Sequence, residues 1–447
     1  MARKSYDLVV LGTGTAGASI AFGCREAGWK VAVVDYRPYG GTCALRGCNP
    51  KKVLYGLAET VERSRALTGK GIAREAVMDW PGLMKFKRSF TDPRPAQTET
   101  YFKEDGIDAY HGKARFTGKN TVSIDGRADL EARKVAIATG ARPATLGIEG
   151  EELMTTSDRF LELEKLPDSI MFVGGGYISF ELANIARAAG AEVMIMHRSG
   201  TVLKRFDRDL AALLVTSFEQ RGIRVVTGKE VKAIRKKGGA LRADSQDGKA
   251  FEADMIVHGA GRVPEIDELD LEKAGVEHDK RGVVVNEFMQ SVSNPDVYAA
   301  GDSASRGLPL TPPAGVGGRT AARNLLYGNS TKADFTATPS VVFTTPPLAL
   351  VGMTEEEAQT NGLSYDVNYG DTSSGFTSRR LGLGASGYKV LLEKETNRIL
   401  GAHLLGHNAD EVINVFAAAM RLGVPARELG TVIWAYPTSS TDVADML

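Results

Sequence analysis

Two segments of the chain share one pattern of apolar, glycine and polar positions. Residues 7–11 and 169–173 are short apolar runs, each typical of a buried β-strand. Each run is followed by a glycine-rich turn, a stretch with helical periodicity and a second apolar run, which ends at Asp35 in the first copy and at His197 in the second. The order strand, turn, helix, strand predicts two βαβ units.

Both turns carry glycine at the spacing of a dinucleotide-binding unit. The first turn has Gly12, Gly14 and Gly17, and the second has the run Gly174–Gly176. Glycine permits the tight turn and lets the backbone approach a pyrophosphate, while the helix N-terminus supplies amide donors. One such turn alone can be an ordinary loop. Two turns, both between a strand and a helix, predict two nucleotide-binding units.

The two units differ in charge where their second strands end. Asp35 follows Gly12 by 23 positions, and the same offset from Gly174 reaches His197. A carboxylate there accepts hydrogen bonds from ribose hydroxyls, whereas a basic group pairs with a 2′-phosphate. The second unit carries such a basic group, composed of Arg198, Lys204 and Arg205. We therefore expect the second unit to prefer NADPH over NADH, with a chance grouping of surface charges as the alternative.

The apolar pattern also indicates how the units are connected. Apolar runs that end in glycine occupy residues 135–140, 257–261 and 297–301. Such strand ends are typical of chain crossings between two nucleotide-binding domains, one inserted in the other. The predicted fold class is therefore α/β, with two Rossmann-like domains.

From about residue 336 the pattern changes. Short strands are predicted at residues 341–343, 349–351, 390–392 and 399–403. A helical period follows at residues 411–422. We expect residues 336–447 to form a separate α+β domain.

Composition excludes several classes of protein. The 447 residues carry 55 basic and 55 acidic side chains, so that no net field draws in nucleic acid or an anionic membrane. Three cysteines are too few for a secreted disulfide framework and favour a cytoplasmic location. The first residues run directly into an apolar strand, and the longest uncharged stretch, residues 335–354, contains three prolines. We therefore expect neither a targeting segment nor a membrane helix.

The strongest chemical signal is a pair of cysteines after the first unit. Cys43 and Cys48 lie in segment 40–52, which reads Gly-Gly-Thr-Cys-Ala-Leu-Arg-Gly-Cys-Asn-Pro-Lys-Lys. If the segment is one helix, their sulfurs lie about one turn apart, close enough to bond after modest adjustment. The pair predicts a cycling, catalytic disulfide. A structural pair or a metal clip is the alternative, but zinc needs further ligands and the segment contains none; Cys24, in the first helix, is expected in the core.

Together these motifs resemble the flavin-dependent pyridine nucleotide–disulfide oxidoreductases, a family that includes glutathione reductase, dihydrolipoamide dehydrogenase and mercuric reductase. The resemblance covers nearly the whole chain. It rests on both glycine units, the cysteine segment, Ala-Thr-Gly at residues 138–140, Ala-Gly-Asp at residues 300–302 and the C-terminal domain. The family implies FAD and NADPH as cofactors.

The resemblance assigns the first unit to FAD and the second to NADPH. The expected FAD contacts are Gly12, Gly14, Gly17, Asp35, Gly41, Thr42, Thr139, Gly140 and Asp302. The expected NADPH contacts are Gly174, Gly176, Tyr177, Arg198, Lys204, Arg205 and Gly261. Tyr177 resembles the side chain that gates the nicotinamide pocket. Lys51 and Glu181 resemble the ion pair beside the flavin N5.

The family also implies a domain order and a quaternary structure. Residues 1–149 and 265–335 would form the FAD domain, residues 150–264 the NADPH domain and residues 336–447 a dimerisation domain. In such a homodimer the C-terminal segment of one subunit completes the active site of the other. The expected partners are a second copy of the chain and a small electron acceptor, with no bound metal, nucleic acid or membrane.

The resemblance implies that electrons pass along a series of groups. NADPH gives hydride to the flavin, and the flavin reduces the disulfide between Cys43 and Cys48. Cys48 would be the thiolate on the flavin side, and Cys43 the thiol that attacks substrate. Lys51 would favour the reduced, anionic flavin through its charge.

One motif departs from the family pattern. Disulfide reductases carry His-Pro-Thr-x-x-Glu near the C-terminus, where the histidine shuttles a proton for the interchange thiol and the glutamate orients it. Here Tyr436 stands at the histidine position and Thr441 at the glutamate position. A phenol, which titrates near pH 10, is a poor proton shuttle at neutral pH beside an imidazole, which titrates near pH 6.5. The motif therefore argues against efficient turnover of a simple disulfide.

Tyrosine at this position resembles the mercuric reductases, whose acceptor is a thiolate-bound soft metal that needs no proton relay. The chain shows neither their C-terminal cysteine pair nor their N-terminal cysteine-bearing domain, which argues against mercury itself. We expect an FAD-dependent NADPH oxidoreductase whose acceptor is a soft metal ion, a quinone or an unusual disulfide. Two alternatives stay open: a low-molecular-weight disulfide reductase in which Tyr436 replaces the histidine, and a flavin-binding redox sensor with vestigial catalysis.

Overall fold

The computed structural model describes residues 4–447. The first three residues, where the sequence predicts no targeting segment, lie outside the described residues. The chain forms two compact units. The first comprises the chain up to Pro50, Phe86–Ala144 and Arg262–Phe335, and the second comprises Lys51–Lys85, Thr145–Gly261 and Thr336–Leu447. The four-segment domain division drawn from the sequence stays a prediction.

Helices and strands alternate along the chain, which confirms the predicted α/β class. The helices are α1 Thr15–Glu26, α2 Gly41–Arg46, α3 Cys48–Leu67, α4 Trp80–Thr91, α5 Arg94–Glu104, α6 Ser157–Phe160, α7 Tyr177–Ala188, α8 Arg208–Gln220, α9 Thr311–Tyr327, α10 Glu355–Thr360, α11 Phe376–Leu381, α12 Ala409–Leu422 and α13 Ala426–Leu429. The strands are β1 Lys4–Leu11, β2 Val31–Asp35, β3 Asp108–His111, β4 Ala114–Gly118, β5 Thr121–Ile124, β6 Ala128–Ile137, β7 Ala141–Pro143, β8 Thr155–Thr156, β9 Ser169–Val173, β10 Glu192–Met196, β11 Ile223–Val226, β12 Val231–Lys237, β13 Ala240–Ser245, β14 Ala250–Ala253, β15 Met255–His258, β16 Arg262–Pro264, β17 His278–Asp279, β18 Gly282–Val283, β19 Val297–Ala299, β20 Ser340–Val342, β21 Leu348–Gly352, β22 Tyr365–Asp371, β23 Gly387–Glu393 and β24 Ile399–Leu405. Among residues 4–447, no helix is both long and apolar enough to cross a membrane.

The first unit is built on a seven-stranded sheet in the order β3-β2-β1-β6-β5-β4, with β19 paired to β6. β1 runs parallel to β2 and β6, and β19 runs parallel to β6. β5 lies antiparallel to β4 and β6. The parallel strands β2 and β19 bury almost every side chain, which is typical of strands covered on both faces. This is why their sequences are continuous apolar runs.

Helix α1 packs against α9 through small residues. Ile20, Ala21 and Cys24 of α1 are buried, which confirms Cys24 as a core residue. Gly318 of α9 lies so close to α1 that an added Cβ would meet the Ala16 carbonyl oxygen at 2.7 Å. Glycine therefore permits the short distance between the two helices.

The second unit contains a five-stranded parallel sheet in the order β11-β10-β9-β15-β8. Helix α7 connects β9 to β10, as α1 connects β1 to β2 in the first unit. Both predicted βαβ units are therefore confirmed. Strands β12, β13 and β14 form a separate antiparallel sheet.

The C-terminal part of the second unit is an antiparallel sheet in the order β20-β21-β24-β23-β22. Helix α12 is amphipathic and buries Val412, Ile413 and Phe416. The predicted strand at residues 341–343 is displaced by one residue, because the Phe343 N–H donates to the Glu181 side chain and not to the sheet. The α+β character of this segment is as predicted.

Candidate redox-active site

The first glycine turn brings backbone segments into close contact. Gly12 has φ +106°, and an added Cβ would meet the Ala138 carbonyl oxygen at 2.2 Å. An added Cβ on Gly17 would meet the Gly12 carbonyl oxygen at 2.1 Å. Gly14 is the N-cap residue of α1 and has no side chain to accept from the first amides. These amides are therefore available to a phosphate group.

Asp35 ends β2 beside this turn. Its Oδ2 accepts hydrogen bonds from the Thr13 N–H at 2.9 Å and from the Thr13 hydroxyl at 2.7 Å. Its Oδ1 accepts from the Arg37 N–H at 3.0 Å. Three donors thus orient the half-buried carboxylate. A carboxylate has about four acceptor positions, so capacity remains for a ribose hydroxyl.

Other residues expected at FAD lie in the same unit. An added Cβ on Gly41 would meet Gly14 Cα at 2.4 Å, so the start of α2 is packed against the turn. Thr139 follows β6, and its buried hydroxyl has no hydrogen-bond partner among residues 4–447. Burial raises the pKa of the Asp302 carboxyl, although the charge of Arg262 opposes the shift. The crowded glycine turn and the unpartnered hydroxyl fit a bound dinucleotide such as FAD.

The second glycine turn repeats this geometry in the second unit. Gly174 has φ +119°, and its added Cβ would meet the Gly259 carbonyl oxygen at 2.2 Å. Gly176 is the N-cap of α7, and Tyr177, which is 40% exposed, is the first residue of that helix. The Ser179 hydroxyl is fully buried and has no partner within the described chain. These features fit a nicotinamide nucleotide for the same reasons.

His197 takes the position in the second unit that Asp35 has in the first. Its Nδ1 accepts a hydrogen bond from the Gly175 N–H at 3.0 Å. Burial lowers the pKa of His197, and the charges of Lys204 and Arg198 lower it further. The imidazole is therefore favoured in its neutral form, and the two neighbouring side chains supply the positive charge at this turn.

The remaining residues of the predicted NADPH set lie on loops. Lys204 and Arg205 are exposed in the segment between β10 and α8. Gly261 follows β15 and has φ +116°, a conformation that favours glycine. The two basic side chains are thus accessible to a charged ligand.

Two acidic residues that the sequence did not reveal, Glu230 and Asp247, line a pocket together with Arg198 of this basic group. The Lys229 N–H donates to the His197 carbonyl at 2.9 Å, which brings the segment after β11 alongside Arg198. Arg198 lies 4.0 Å from Glu230, and Lys229 forms an ion pair with Asp247. These four charged side chains line one pocket. No local pattern signals this arrangement, because the partners lie far apart in the chain.

The two cysteines lie on two helices, so segment 40–52 is not one helix. Cys43 lies in α2 and is half-buried, whereas Cys48 is exposed and begins α3. Gly47 separates the helices with φ −144° and ψ −112°, and its added Cβ would meet the Thr42 carbonyl oxygen at 2.9 Å. The break between the two helices therefore requires glycine at position 47, because any other residue would collide with the Thr42 carbonyl.

The Cys48 sulfur lies close to the N-termini of two helices, α3 and α9. The Sγ is 3.3 Å from the Oγ1 of Thr311, the first residue of α9. Cys48 is itself the first residue of α3. Both helix ends carry a partial positive charge, which favours a thiolate at this sulfur.

Lys51 and Glu181 form the ion pair that the resemblance implies. The Lys51 Nζ lies 2.7 Å from Glu181 Oε2, and the Glu181 side chain is only 1% exposed. The other carboxylate oxygen, Oε1, accepts from the Phe343 N–H at 2.9 Å. Both oxygens of this buried carboxylate are therefore satisfied, as burial of a charge requires.

A second buried ion pair in the same unit was not predicted. The Arg221 guanidinium donates to Glu62 at 2.8 Å, to Asn184 Oδ1 at 2.9 Å and to the Thr345 carbonyl at 2.7 Å. Asn184 Oδ1 also accepts from the Thr345 N–H at 3.1 Å. Through this network and Glu181, helix α7 holds the backbone of residues 343–345.

Tyr436 lies on the C-terminal segment and is 82% exposed. The Thr441 hydroxyl donates to the Ala435 carbonyl at 2.9 Å, so this position offers a hydroxyl where the family motif has a carboxylate. Burial and the nearby Asp445 raise the pKa of the Asp442 carboxyl. The exposed phenol is accessible to another molecule.

Histidines near the end of the chain have other contacts. His403 is fully buried and bonds the Met353 carbonyl at 3.0 Å. The His407 Nδ1 lies 2.9 Å from the Arg63 guanidinium. No histidine follows His407 in the sequence. Both residues therefore have the contacts expected of structural histidines.

The described residues include one acidic group of the size that holds a cation. It consists of Asp207, Asp209 and Glu355. The Lys389 Nζ lies within 3.0 Å of a carboxylate oxygen of each. The lysine therefore offsets part of the negative charge of this group, and the four residues form an ion-pair network.

Two family models match consecutive parts of the chain. The model described as pyridine nucleotide-disulphide oxidoreductase matches residues 6–321. The dimerisation domain of the same family matches residues 338–447. The second match supports a homodimer.

Similar proteins cover almost the whole chain. Glutathione reductase of Burkholderia cepacia is 31% identical over 98% of this chain and 97% of its own length. Mercuric reductase of Lysinibacillus sphaericus is 32% identical over 98% of this chain and 81% of its own length. Dihydrolipoyl dehydrogenase of Thermus scotoductus is 34% identical over 98% of this chain and 95% of its own length.

Solved structures of the HOCl-induced flavoprotein disulfide reductase RclA from Escherichia coli are also similar. One structure of that protein superposes with a TM-score of 0.88 at 27% identity and 99% coverage of both chains. Its Cu(II) complex superposes with a TM-score of 0.89 at 27% identity, covering 100% of this chain and 99% of that chain.

Proposed function

The chain belongs to the pyridine nucleotide-disulphide oxidoreductase family, and on that premise we propose that it passes electrons from NADPH through Cys43 and Cys48 to a soft metal ion, a quinone or an unusual disulfide. Members of this family are flavin-dependent enzymes that use FAD and NAD(P)H. The observation that carries the choice of acceptor is Tyr436 at the position of the proton-carrying histidine. A cytoplasmic location stays a prediction from the three cysteines.

The proposed cofactor residues are those of the two glycine turns. The first turn and Asp35 would hold FAD, and the second turn with Arg198 and Lys204 would hold NADPH. When bound, FAD accepts hydride from the nicotinamide and supplies the electron pair that reduces the disulfide. Two electrons and one proton convert the disulfide into a thiol at Cys43 and a thiolate at Cys48. The hydride that NADPH donates supplies both electrons and this proton.

The environment of Cys48 supports its role as the thiolate. The Thr311 hydroxyl and two helix N-termini face its sulfur. Cys43, on the separate helix α2, would then carry the electron pair to the acceptor. Oxidation of this thiol–thiolate pair back to the disulfide releases two electrons and one proton. With a second proton from solvent they reduce one quinone to a quinol; with copper, the two electrons reduce two Cu(II) ions to Cu(I) and the proton passes to solvent.

The pair of Lys51 and Glu181 supports electron uptake. The Lys51 cation is held by a buried carboxylate and is 15% exposed. A fixed cation next to a group that gains negative charge stabilises the reduced state. In the proposed mechanism this charge acts on the flavin.

Tyr436 decides between acceptors through acid–base chemistry. Release of a simple thiol from a mixed disulfide requires a proton, and a phenol delivers it poorly at neutral pH. Reduction of a bound metal ion needs no such proton. Mercuric reductase among the relatives and the Cu(II) complex among the similar structures support a metal acceptor.

The relatives also include glutathione reductase, which makes a low-molecular-weight disulfide the second candidate. Purified holoenzyme should be assayed for NADPH oxidation with Hg(II), Cu(II), a quinone, glutathione disulfide, lipoamide and oxygen. The variants are Tyr436→His, Tyr436→Phe and Cys43→Ser. We expect turnover with a metal or a quinone that Tyr436→His leaves within about twofold, whereas disulfide turnover rises at least tenfold.

Three outcomes would contradict the proposal. The disulfide reductase would be favoured if the wild type turns over disulfides faster than every metal and quinone, and if Tyr436→His leaves disulfide turnover unchanged. Full turnover in Cys43→Ser would exclude the dithiol from the path. Absence of NADPH oxidation with all acceptors would favour the redox sensor.

A further inference from the structure

Helix α3 begins with an unfavourable arrangement of charge. Its first turn contains Cys48 and Lys51 but no acidic residue, and Lys52 follows directly. Cations near a helix N-terminus are disfavoured by the partial positive charge of the backbone there. The two lysines therefore depend on negative groups from other elements. These are Glu181 on α7 and Asp410 on α12, at 2.7 and 3.2 Å.

Phe343 contacts both lysines. Its ring centroid lies 4.9 Å from the Lys51 Nζ and 3.8 Å from the Lys52 Nζ. The face of an aromatic ring carries partial negative charge and attracts cations at these distances. The ring therefore adds to the negative environment that the two lysines require.

The backbone of the same residue holds the carboxylate. The Phe343 N–H donates to Glu181 Oε1 at 2.9 Å, while Oε2 of that carboxylate binds Lys51. Phe343 thus contacts the cation with its ring and the anion with its N–H. It orients both members of the pair.

The position of Phe343 is itself fixed by its neighbours. The Asn184 side chain accepts from the Thr345 N–H, and the Arg221 guanidinium donates to the Thr345 carbonyl. The Tyr55 hydroxyl donates to the Thr344 carbonyl at 3.1 Å. The ring of Phe343 is half-buried and packs against the core of the second unit. A fixed backbone and a packed ring therefore hold the ring face in place beside the Lys51 ammonium.

We propose that Phe343 is a positioning residue of the redox site, which holds the Lys51 cation against Glu181. The inference rests on the proposed role of this pair in electron uptake. Loss of the ring would let Lys51 move toward solvent and would weaken the charge that favours the reduced flavin.

Phe343→Leu removes the ring but keeps the backbone N–H and most of the apolar volume. Phe343→Tyr keeps the ring face. Phe160→Leu is the matched control, because Phe160 is buried in the same core and its ring contacts Trp80 and Phe172. This control measures the effect of losing an aromatic ring from the core. Any further effect of Phe343→Leu is then due to the contact between the Phe343 ring and the lysines.

Three measurements are made on the purified holoenzymes. They are the rate of flavin reduction by NADPH in a single turnover, the flavin midpoint potential, and the rate of Lys51 acetylation by acetic anhydride, followed by peptide mapping. We expect Phe343→Leu to slow flavin reduction about 3- to 10-fold, to make the potential more negative and to speed acetylation of Lys51. Phe343→Tyr and Phe160→Leu should match the wild type in all three.

Equal values for Phe343→Leu and wild type would overturn the inference, as would an equal loss in Phe160→Leu. Lys51→Met and Glu181→Gln separate this failure from failure of the proposed function. If they slow flavin reduction while Phe343→Leu does not, only the role of Phe343 is wrong. If they leave flavin reduction unchanged, the role of the ion pair in electron uptake is wrong.

Discussion

The Sγ of Cys48 lies 3.3 Å from the Oγ1 of Thr311, and the two residues are the first residues of α3 and α9. A hydroxyl, which would donate to this sulfur in its thiolate form, and two helix N-termini therefore act on one sulfur. This contact joins segments that are far apart in the chain. It gives a physical reason why Cys48 can serve as the thiolate of the redox pair.

The Thr311 hydroxyl should be tested by its effect on this thiolate. In Thr311→Val the hydrogen bond is lost, so we expect alkylation of Cys48 by iodoacetamide to shift to higher pH and to slow about 2- to 5-fold at pH 7. Thr311→Ser should retain the wild-type profile. The measurement is the pH dependence of alkylation in the reduced protein, with Cys48 identified by peptide mapping. An unchanged profile in Thr311→Val would contradict the assigned contact.

The contact between Gly41 and Gly14 predicts that FAD binding requires glycine at position 41. Gly41 has φ +71°, and an added Cβ would lie 2.4 Å from Gly14 Cα. Gly41→Ala should therefore distort the first glycine turn and lower the FAD content of the purified protein at least tenfold. Gly28→Ala is the control, because Gly28 has φ +86° but its added Cβ meets no described atom within 4 Å. Equal FAD content in the two variants would show that backbone strain alone explains the effect.

The pocket around Arg198 predicts a graded preference for NADPH. Arg198→Ala should lower the ratio of kcat/KM for NADPH to that for NADH about tenfold, because the cation for the 2′-phosphate is lost. Glu230→Gln should raise this ratio about 2- to 5-fold, because the carboxylate beside Arg198 repels the phosphate. The affinity for 2′,5′-ADP, measured by calorimetry, should change in the same directions.

Glu252→Gln serves as the control for this series, since Glu252 pairs with Lys237 on the antiparallel sheet. It should leave the ratio unchanged. A wild-type enzyme that favours NADH, or a ratio insensitive to Arg198→Ala, would show that the basic group does not select the nucleotide.

Buried His403 predicts a loss of stability in acid. Burial lowers its pKa from the ordinary value of 6.5, although Asp207 and the Met353 carbonyl oppose the shift. The unfolded chain therefore binds more protons than the folded chain below pH 6.5, and stability falls as the pH drops from 6.5 toward the lowered pKa. The loss from this residue is at most about 1.4 kcal/mol per pH unit.

His403→Gln should flatten this dependence, because the amide can still bond the Met353 carbonyl but does not titrate. The measurement is the thermal midpoint between pH 7 and pH 5. His278→Gln is the control at an exposed position and should follow the wild type. A slope that is the same in all three proteins would assign the acid sensitivity to other groups.

The elements that could be predicted are those with local signals. Glycine spacing and apolar runs of the right length predicted both βαβ units, because the turn, the strand and the helix each depend on residues close in sequence. The resemblance implied the pair of Lys51 and Glu181, and the structure brings the two side chains into contact. The segment of the two cysteines shows the limit of this approach, since the distance between the sulfurs was argued on the condition of one helix and Gly47 divides the segment into two.

The contacts that decide the chemistry join residues remote in the chain. Three contacts show this: Phe343 contacts Lys51 and Glu181, Thr311 contacts Cys48, and Glu230 lies beside Arg198. The residues in each contact follow no periodicity, so no short window of sequence could have predicted them. These contacts form only when packing of the sheets brings the ends of particular strands and helices together. Local sequence was therefore sufficient for the two βαβ units and for proposing the redox pair, whereas the charge around each was decided only when the chain packed.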